Sequence, residues 1–185
     1  ESHPSIIRKQ PRQYLTMLQN MLVWQYQLKQ FREALESVEK LKLFVLQQKN
    51  ALSENLFNRT FYFTNTFYLL VYSRLGEYEK AVKSVKQFKD EFSDFKIKPI
   101  NKEAEWMFYD ACAIAYFGSG NLSESAKYQN RIIQDTEGDL RSDMQSMARI
   151  FALILHFELG NQDLLRYMVK WTYRFLVKRN RLYKF

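Results

Sequence analysis

The chain has 185 residues, 46% hydrophobic and 26% charged, a composition that suits one domain or one stretch of a repeat array and excludes general disorder. Its single cysteine, Cys112, excludes an internal disulfide framework and a cysteine-clustered zinc site. The net charge is +8, but the segment 166–185 holds seven basic residues and no acidic one, so the segment 1–165 carries only +1 and the basicity is local.

The longest segment without charge, 13–28, includes five Gln or Asn. It is too short and too polar to cross the ~30 Å hydrocarbon core of a bilayer. No cationic start followed by an apolar stretch, the pattern of a signal peptide, precedes it. We therefore expect a cytoplasmic chain, with residues 1–11 as an N-terminal extension.

One turn motif occurs four times along the remainder. Its copies are residues 27–35, 74–82, 118–126 and 158–166, and the second reads Arg-Leu-Gly-Glu-Tyr-Glu-Lys-Ala-Val. The aligned positions are Gln30, Glu77, Asn121 and Asn161. They recur roughly every 40 to 47 residues, a spacing that predicts one two-helix hairpin per repeat. The hairpins are expected at about residues 12–50, 54–95, 101–135 and 140–185.

The residues of these turns suit helix ends. Gly76, Gly120 and Gly160 can adopt a positive φ where a helix terminates, while the first copy has Lys29 in that position. Asn121 and Asn161 are predicted to cap the helix that follows, and Asn121 with Glu124 resembles a capping box.

The two helices predicted in each repeat differ in polarity. In the second repeat, the helix after the turn has a one-sided apolar stripe that runs from Tyr78 to Phe92. In the helix before it, ten of the fifteen residues from Phe61 to Leu75 are apolar or aromatic, so that helix needs cover on more than one side. An all-α solenoid with inner and outer helices gives both patterns, and a closed helical bundle is the alternative.

The motif resembles the tetratricopeptide repeat (TPR). The resemblance is carried by the run from Leu75 to Ala81 with Tyr72 and Phe88, and in the third repeat by Tyr116, Gly120, Leu122, Ser125, Ala126 and Ile132. The repeats depart from the family in Lys29 and in their spacing, which is longer than the usual period of about 34. The resemblance implies a right-handed α-solenoid of about four antiparallel helix hairpins.

The resemblance also implies a non-catalytic scaffold that binds another protein or peptide on a concave face lined by the first helices. Carried over by distance from each turn, the residues expected on that face are Tyr26, Phe63, Thr66, Leu70, Arg74, Met107, Asp110, Ile114, Phe117, Ile150, Ile154 and Phe157. This mostly apolar set is suited to binding an amphipathic helix of a partner, and Phe117 is expected to anchor that partner. Packing of these side chains on each other or on an adjoining helix is the alternative. A second copy of the chain is a further alternative for the partner, which would give a homo-oligomer.

The C-terminal segment has a basic arc. Arg166, Lys170, Arg174, Lys178 and Arg181 share one side of a helical wheel, and the opposite side holds Leu165, Met168, Val169, Trp171, Phe175, Leu176 and Leu182. We expect an outer helix whose apolar arc is docked. The alternative function is a nucleic-acid-associated or regulatory sensor domain that contacts polyanions, or an anionic membrane surface, through this arc.

No pattern of catalytic residues is found in the sequence. His3 and His156 each lack a second ligand at metal spacing, and Cys112 lies among alanines as expected for a small core residue. No phosphate-binding glycine loop or serine-centred elbow occurs. We therefore expect neither enzymatic activity nor a cofactor or metal.

Overall fold

The computed structural model describes residues 11–98, 100–135 and 142–179. This part of the chain is all-helical, as predicted, and contains no strand. Its eight helices are α1 (Pro11–Gln27), α2 (Phe31–Gln47), α3 (Glu54–Arg74), α4 (Tyr78–Asp94), α5 (Lys102–Gly118), α6 (Leu122–Gln134), α7 (Ser142–Glu158) and α8 (Gln162–Lys178). None of the described helices combines the length and the apolar character that spanning a bilayer requires.

The four predicted turns share one backbone structure. Gly76, Gly120 and Gly160 have φ values of 75°, 78° and 72°, which confirms the positive φ predicted for them, and Lys29 has the same conformation with φ 61°. At each turn the residue with positive φ donates its N–H to the carbonyl three residues before it. The next residue donates its N–H to the carbonyl five residues before itself. This pair of bonds is the Schellman motif, which satisfies carbonyls at the end of a helix.

The two predicted asparagine caps have different outcomes. Asn121 Oδ1 accepts a hydrogen bond of 3.2 Å from the N–H of Glu124, so the cap predicted there is confirmed. Asn161 makes no side-chain cap. Its Nδ2 lies 3.0 Å from Nδ1 of His156, so the amide is engaged with the preceding helix, and the predicted cap is wrong.

The chain forms two compact units, Glu1–Ala104 and Glu105–Phe185. In the first unit α1 packs on α2, α2 on α3 and α3 on α4, and α1 also contacts α3. Helix α3 is buried on several sides, because its apolar Phe61, Leu69 and Val71 and its polar Thr64 and Asn65 are all inaccessible. The prediction that this helix is covered on more than one side is therefore confirmed.

In the second unit α6 packs on α7, and α7 on α8. Trp106, Ile132 and Ala148 form a core cluster that joins α5, α6 and α7. Helices α5 and α6 are also joined by a hydrogen bond of 2.7 Å from the hydroxyl of the buried Ser125 to the carbonyl of Ala113. Cys112 is fully buried in α5, as expected for a core residue.

Candidate protein-binding surfaces

In the first unit, two of the predicted contact residues lie together. Arg74 Nε donates a hydrogen bond of 2.9 Å to the hydroxyl of Tyr26, which joins the C-terminal ends of α1 and α3. The Tyr26 ring packs edge-to-face on Phe31 and Phe67, with centroids 5.7 and 5.8 Å away. The hydrogen bond to Tyr26 raises the pKa of Arg74, which stays exposed and charged.

The other predicted residues of α3, Phe63, Thr66 and Leu70, are less accessible than Arg74. Phe63 and Leu70 are half-buried, and the Phe63 ring packs on Phe67 with centroids 4.4 Å apart. Thr66 is 3% exposed, and its hydroxyl donates to the carbonyl of Tyr62 at 2.9 Å. The prediction that Thr66 contacts a partner is wrong, because this arc of α3 lies inside the protein.

In the second unit, α7 carries an exposed apolar row. Met147, Ile150, Ile154 and Phe157 follow one another at helical spacing, and between 38% and 70% of each residue is exposed. We call these four residues the α7 stripe. Sequence reasoning named the last three and missed Met147, although its place three residues before Ile150 continues the same periodicity.

The predicted residues of α5 are partly engaged within the unit. Met107 is exposed, whereas Ile114 and Phe117 are half-buried, and the Phe117 ring packs edge-to-face on Phe151 of α7 at 5.2 Å. The fourth of them, Asp110, accepts a hydrogen bond of 3.0 Å from Nε2 of the buried Gln129 of α6.

The contact with Gln129 joins Asp110, which is half-buried, to α6. Burial raises the pKa of the Asp110 carboxyl. Asp110 therefore takes part in the contact between α5 and α6, and its assignment to a partner site stays a prediction.

The basic arc of α8 is accessible, because Arg166, Lys170, Arg174 and Lys178 are all exposed. The opposite arc is docked only in part. Leu165, Met168, Phe175 and Leu176 are half-buried, but Trp171 and Val169 are 70% and 51% exposed, so the predicted docking of these two residues is wrong. The residue that lies deepest in α8 is Thr172. His3, Arg181 and Leu182 lie outside the described residues.

A groove that the sequence did not predict lies beside Trp171. It has a volume of about 590 Å³ and is lined mainly by Leu164, Tyr167, Met168 and Trp171 of α8, together with Ile133 of α6 and Arg149 of α7. We call it the α8 groove. The spacing of its α8 residues, at i, i+3, i+4 and i+7, is a detectable signal, but the periodicity of α8 alone does not show that the row stays uncovered.

In the described part of the chain, no group of three or more His, Cys, Asp or Glu side chains could hold a metal ion. Comparison with protein-family models, with curated proteins and with solved structures finds no match to this chain. Two accessible surfaces of the second unit, the α7 stripe and the exposed side of α8, carry the candidate functions.

Proposed function

We propose that this chain is a non-catalytic protein-interaction module, a TPR-like right-handed α-solenoid of antiparallel helix hairpins. In this proposal the first helix of each hairpin, which is α1, α3, α5 or α7, contributes to a concave face that binds a peptide or helix of another protein. Support for the repeat comes from the Schellman turn at Lys29, Gly76, Gly120 and Gly160, where four segments end in the same way.

The observation that carries the binding function is the exposure of the α7 stripe. Single exposed apolar residues are common on protein surfaces, whereas a contiguous apolar patch usually marks an interaction site. Four large apolar side chains in register along α7 form such a patch. An amphipathic helix would bury them through its own apolar residues at i, i+3, i+4 and i+7.

A peptide selection on the intact chain tests this proposal. Helix-forming 16-residue peptides are selected from a displayed library, and the affinity of each is measured for wild type, Phe157→Ala and Leu43→Ala. Leu43 of α2 is a matched control, because it is also an exposed apolar residue, at 61% against 70% for Phe157.

We expect Phe157→Ala to weaken at least one group of the selected peptides about tenfold or more, because aromatic anchors dominate such interfaces, and Leu43→Ala to have no effect. Both variants should keep the wild-type melting temperature. A selection in which neither Phe157→Ala nor Ile154→Ala weakens any of the selected peptides would contradict the proposed face.

A second candidate function is supported by the basic arc. Arg166, Lys170, Arg174 and Lys178 have no acidic partner among the described residues, and exposed aromatic rings stand between them at Tyr167, Trp171 and Tyr173. Sites that bind single-stranded nucleic acid combine cations, which contact the phosphate backbone, with aromatic rings, which stack on the bases. The near-neutral charge of the segment 1–165 places this function second.

A further inference from the structure

The α8 groove has anchors of the kind that dominate protein interfaces. Trp171 and Tyr167 are 70% and 67% exposed at its edge, and Leu164 and Met168 continue its apolar surface along α8. Trp, Tyr and Arg are the residue types most enriched among residues that contribute strongly to binding. The groove has all three, since Arg149 also lines it.

Arg149 brings a positive charge into this apolar surface, and no carboxylate of the described residues pairs with it. Its Nε is buried and has no hydrogen-bond partner in the described part of the chain, and its Nη2 reaches the carbonyl of Ile133 only at 3.5 Å. Its guanidinium lies 4.2 Å from the centroid of the Phe175 ring, and the guanidinium of Arg179 lies 4.9 Å from that same ring.

This environment disfavours the charged guanidinium. Burial, and then repulsion from Arg179, lower the pKa of Arg149. A partly buried charge that lacks its counterion is costly, and the cost is relieved when a negatively charged group pairs with it. Arg149 is therefore suited to receive a carboxylate that enters the groove, and its planar fork can bind both oxygens.

Positive charge also continues along the edge of the groove. At about 100° per residue, Arg174, Tyr167, Lys178 and Trp171 follow one another at intervals of about 20° around α8. The cations and the aromatic anchors are thus interleaved on adjoining arcs. The first turn of α8 holds one acidic residue, Asp163, against four exposed basic residues along the helix.

We propose that the α8 groove binds an acidic amphipathic helix of a partner protein. The apolar side chains of the partner pack on Leu164, Tyr167 and Trp171, one of its carboxylates pairs with Arg149, and its flanking carboxylates face Arg174 and Lys178. This site goes beyond the proposed face of first helices. On the helical wheel of α7, Arg149 lies about 120° from the centre of the α7 stripe, so the two surfaces occupy different arcs.

The test uses two synthetic peptides and the intact chain. The first is a labelled 16-residue helix with Leu at i, i+3, i+4 and i+7 and Glu on its flanks, and the second has Gln in place of every Glu. Affinities are measured by fluorescence anisotropy for wild type, Trp171→Ala, Arg149→Gln and Arg149→Lys. Phe157→Ala is the control, because it alters the α7 stripe and leaves the groove intact.

We expect wild type to bind the Glu peptide about tenfold or more tightly than the Gln peptide. Trp171→Ala should weaken binding of both peptides about tenfold. Arg149→Gln should remove most of the preference for Glu and leave the part that Arg174 and Lys178 contribute. Arg149→Lys should retain more of the preference, because lysine keeps the charge but loses the fork. Phe157→Ala should bind both peptides as wild type does, whatever its effect on the proposed face.

Equal affinity of wild type for the two peptides would overturn the proposal without recourse to any variant. Unchanged binding in Trp171→Ala would overturn it as well. The competitors are a 20-nucleotide oligo(dT) and phosphatidylserine vesicles. If either displaces the Glu peptide from wild type and fails to bind Trp171→Ala, the groove is assigned to a polyanion or to a membrane surface instead.

Discussion

Lys29 and Gly76 occupy equivalent positions in two repeated turns, and both have a left-handed backbone, with φ of 61° and 75°. Glycine adopts this conformation at no steric cost, whereas a residue with a Cβ atom is strained there by about 1 kcal/mol. Lys29 adopts it because the Schellman hydrogen bonds from Lys29 and Gln30 to the end of α1 require it. The first turn is thus an instance of the motif with an unfavourable residue.

These two positions give a paired prediction about the free energy of unfolding. Gly76→Ala should lower it by about 1 kcal/mol, and the loss is due to the backbone alone, because a Cβ at Gly76 would meet nothing within 4 Å. Lys29→Gly should raise it by up to about 1 kcal/mol for the opposite reason. Urea unfolding of both variants measures the changes, and a stabilising Gly76→Ala would contradict the argument.

Asp110 gives a prediction about pH. Because burial raises its pKa in the folded chain, the group favours folding below the pKa of the unfolded chain, and this contribution is lost as the pH rises through the folded value. In Asp110→Asn the side-chain oxygen can still accept the hydrogen bond from Gln129 without acquiring a charge.

We therefore expect Asp110→Asn to melt at a higher temperature than wild type at pH 7. The difference should vanish below about pH 3, where the carboxyl is protonated in both states. Thermal unfolding at a series of pH values measures it. A difference that stays constant with pH would show that the ionisation of Asp110 does not oppose folding.

At the scale of the elements, the positions of the turns were predictable, whereas the exposure of single residues on the helices was predictable only in part. The positions of the turns follow from local chemistry, since glycine and the Schellman bonds act within a single turn of the chain. Which arc of a helix is covered depends on its neighbours. Thr66 is buried because α3 is surrounded, and Trp171 is exposed although it lies next to the buried Thr172 in sequence. Neither outcome can be obtained from the periodicity of one helix.

Two phenylalanines, one in α5 and one in α7, differ in how far they are buried. Phe117 is half-buried and packs edge-to-face on Phe151, whereas Phe157 is exposed on the α7 stripe. We expect Phe117→Ala to lower the free energy of unfolding by about 2 kcal/mol, because contacts with Phe151 are lost. Phe157→Ala should change it by less than about 0.5 kcal/mol.

Chemical unfolding of the two variants decides this point. The expectation from sequence was that Phe117 serves mainly as an anchor for a partner. If Phe117→Ala loses less than about 0.5 kcal/mol of stability, which is the range of ordinary surface substitutions, that interpretation is restored. A large loss in Phe157→Ala would show instead that the α7 stripe is covered by other parts of the chain.

At the scale of the whole molecule, the distribution of charge ranks the candidate functions. Seven of the 28 basic residues lie in the segment 166–185, and the rest of the chain is close to neutral. The four exposed cations of the basic arc run from Arg166 to Lys178 of α8, over about 18 Å of helix. Each phosphate that a protein neutralises adds to its salt-dependent affinity for nucleic acid, and one row of four cations provides few such contacts.

The last prediction follows from this comparison. The affinity for a 20-nucleotide oligo(dT) or a 20-base-pair duplex should be weak, with a Kd on the order of 10⁻⁵ M or weaker at about 0.15 M salt. Four phosphate contacts to a single strand would give a slope of log K against log salt of about −3. Anisotropy titrations at several salt concentrations measure both quantities, with the quadruple change of Arg166, Lys170, Arg174 and Lys178 to Gln as the charge control. Submicromolar binding that this variant abolishes would contradict the ranking. Such affinity would require phosphate contacts beyond the basic arc, or base stacking on Tyr167 and Trp171. Nucleic acid would then replace protein as the proposed partner.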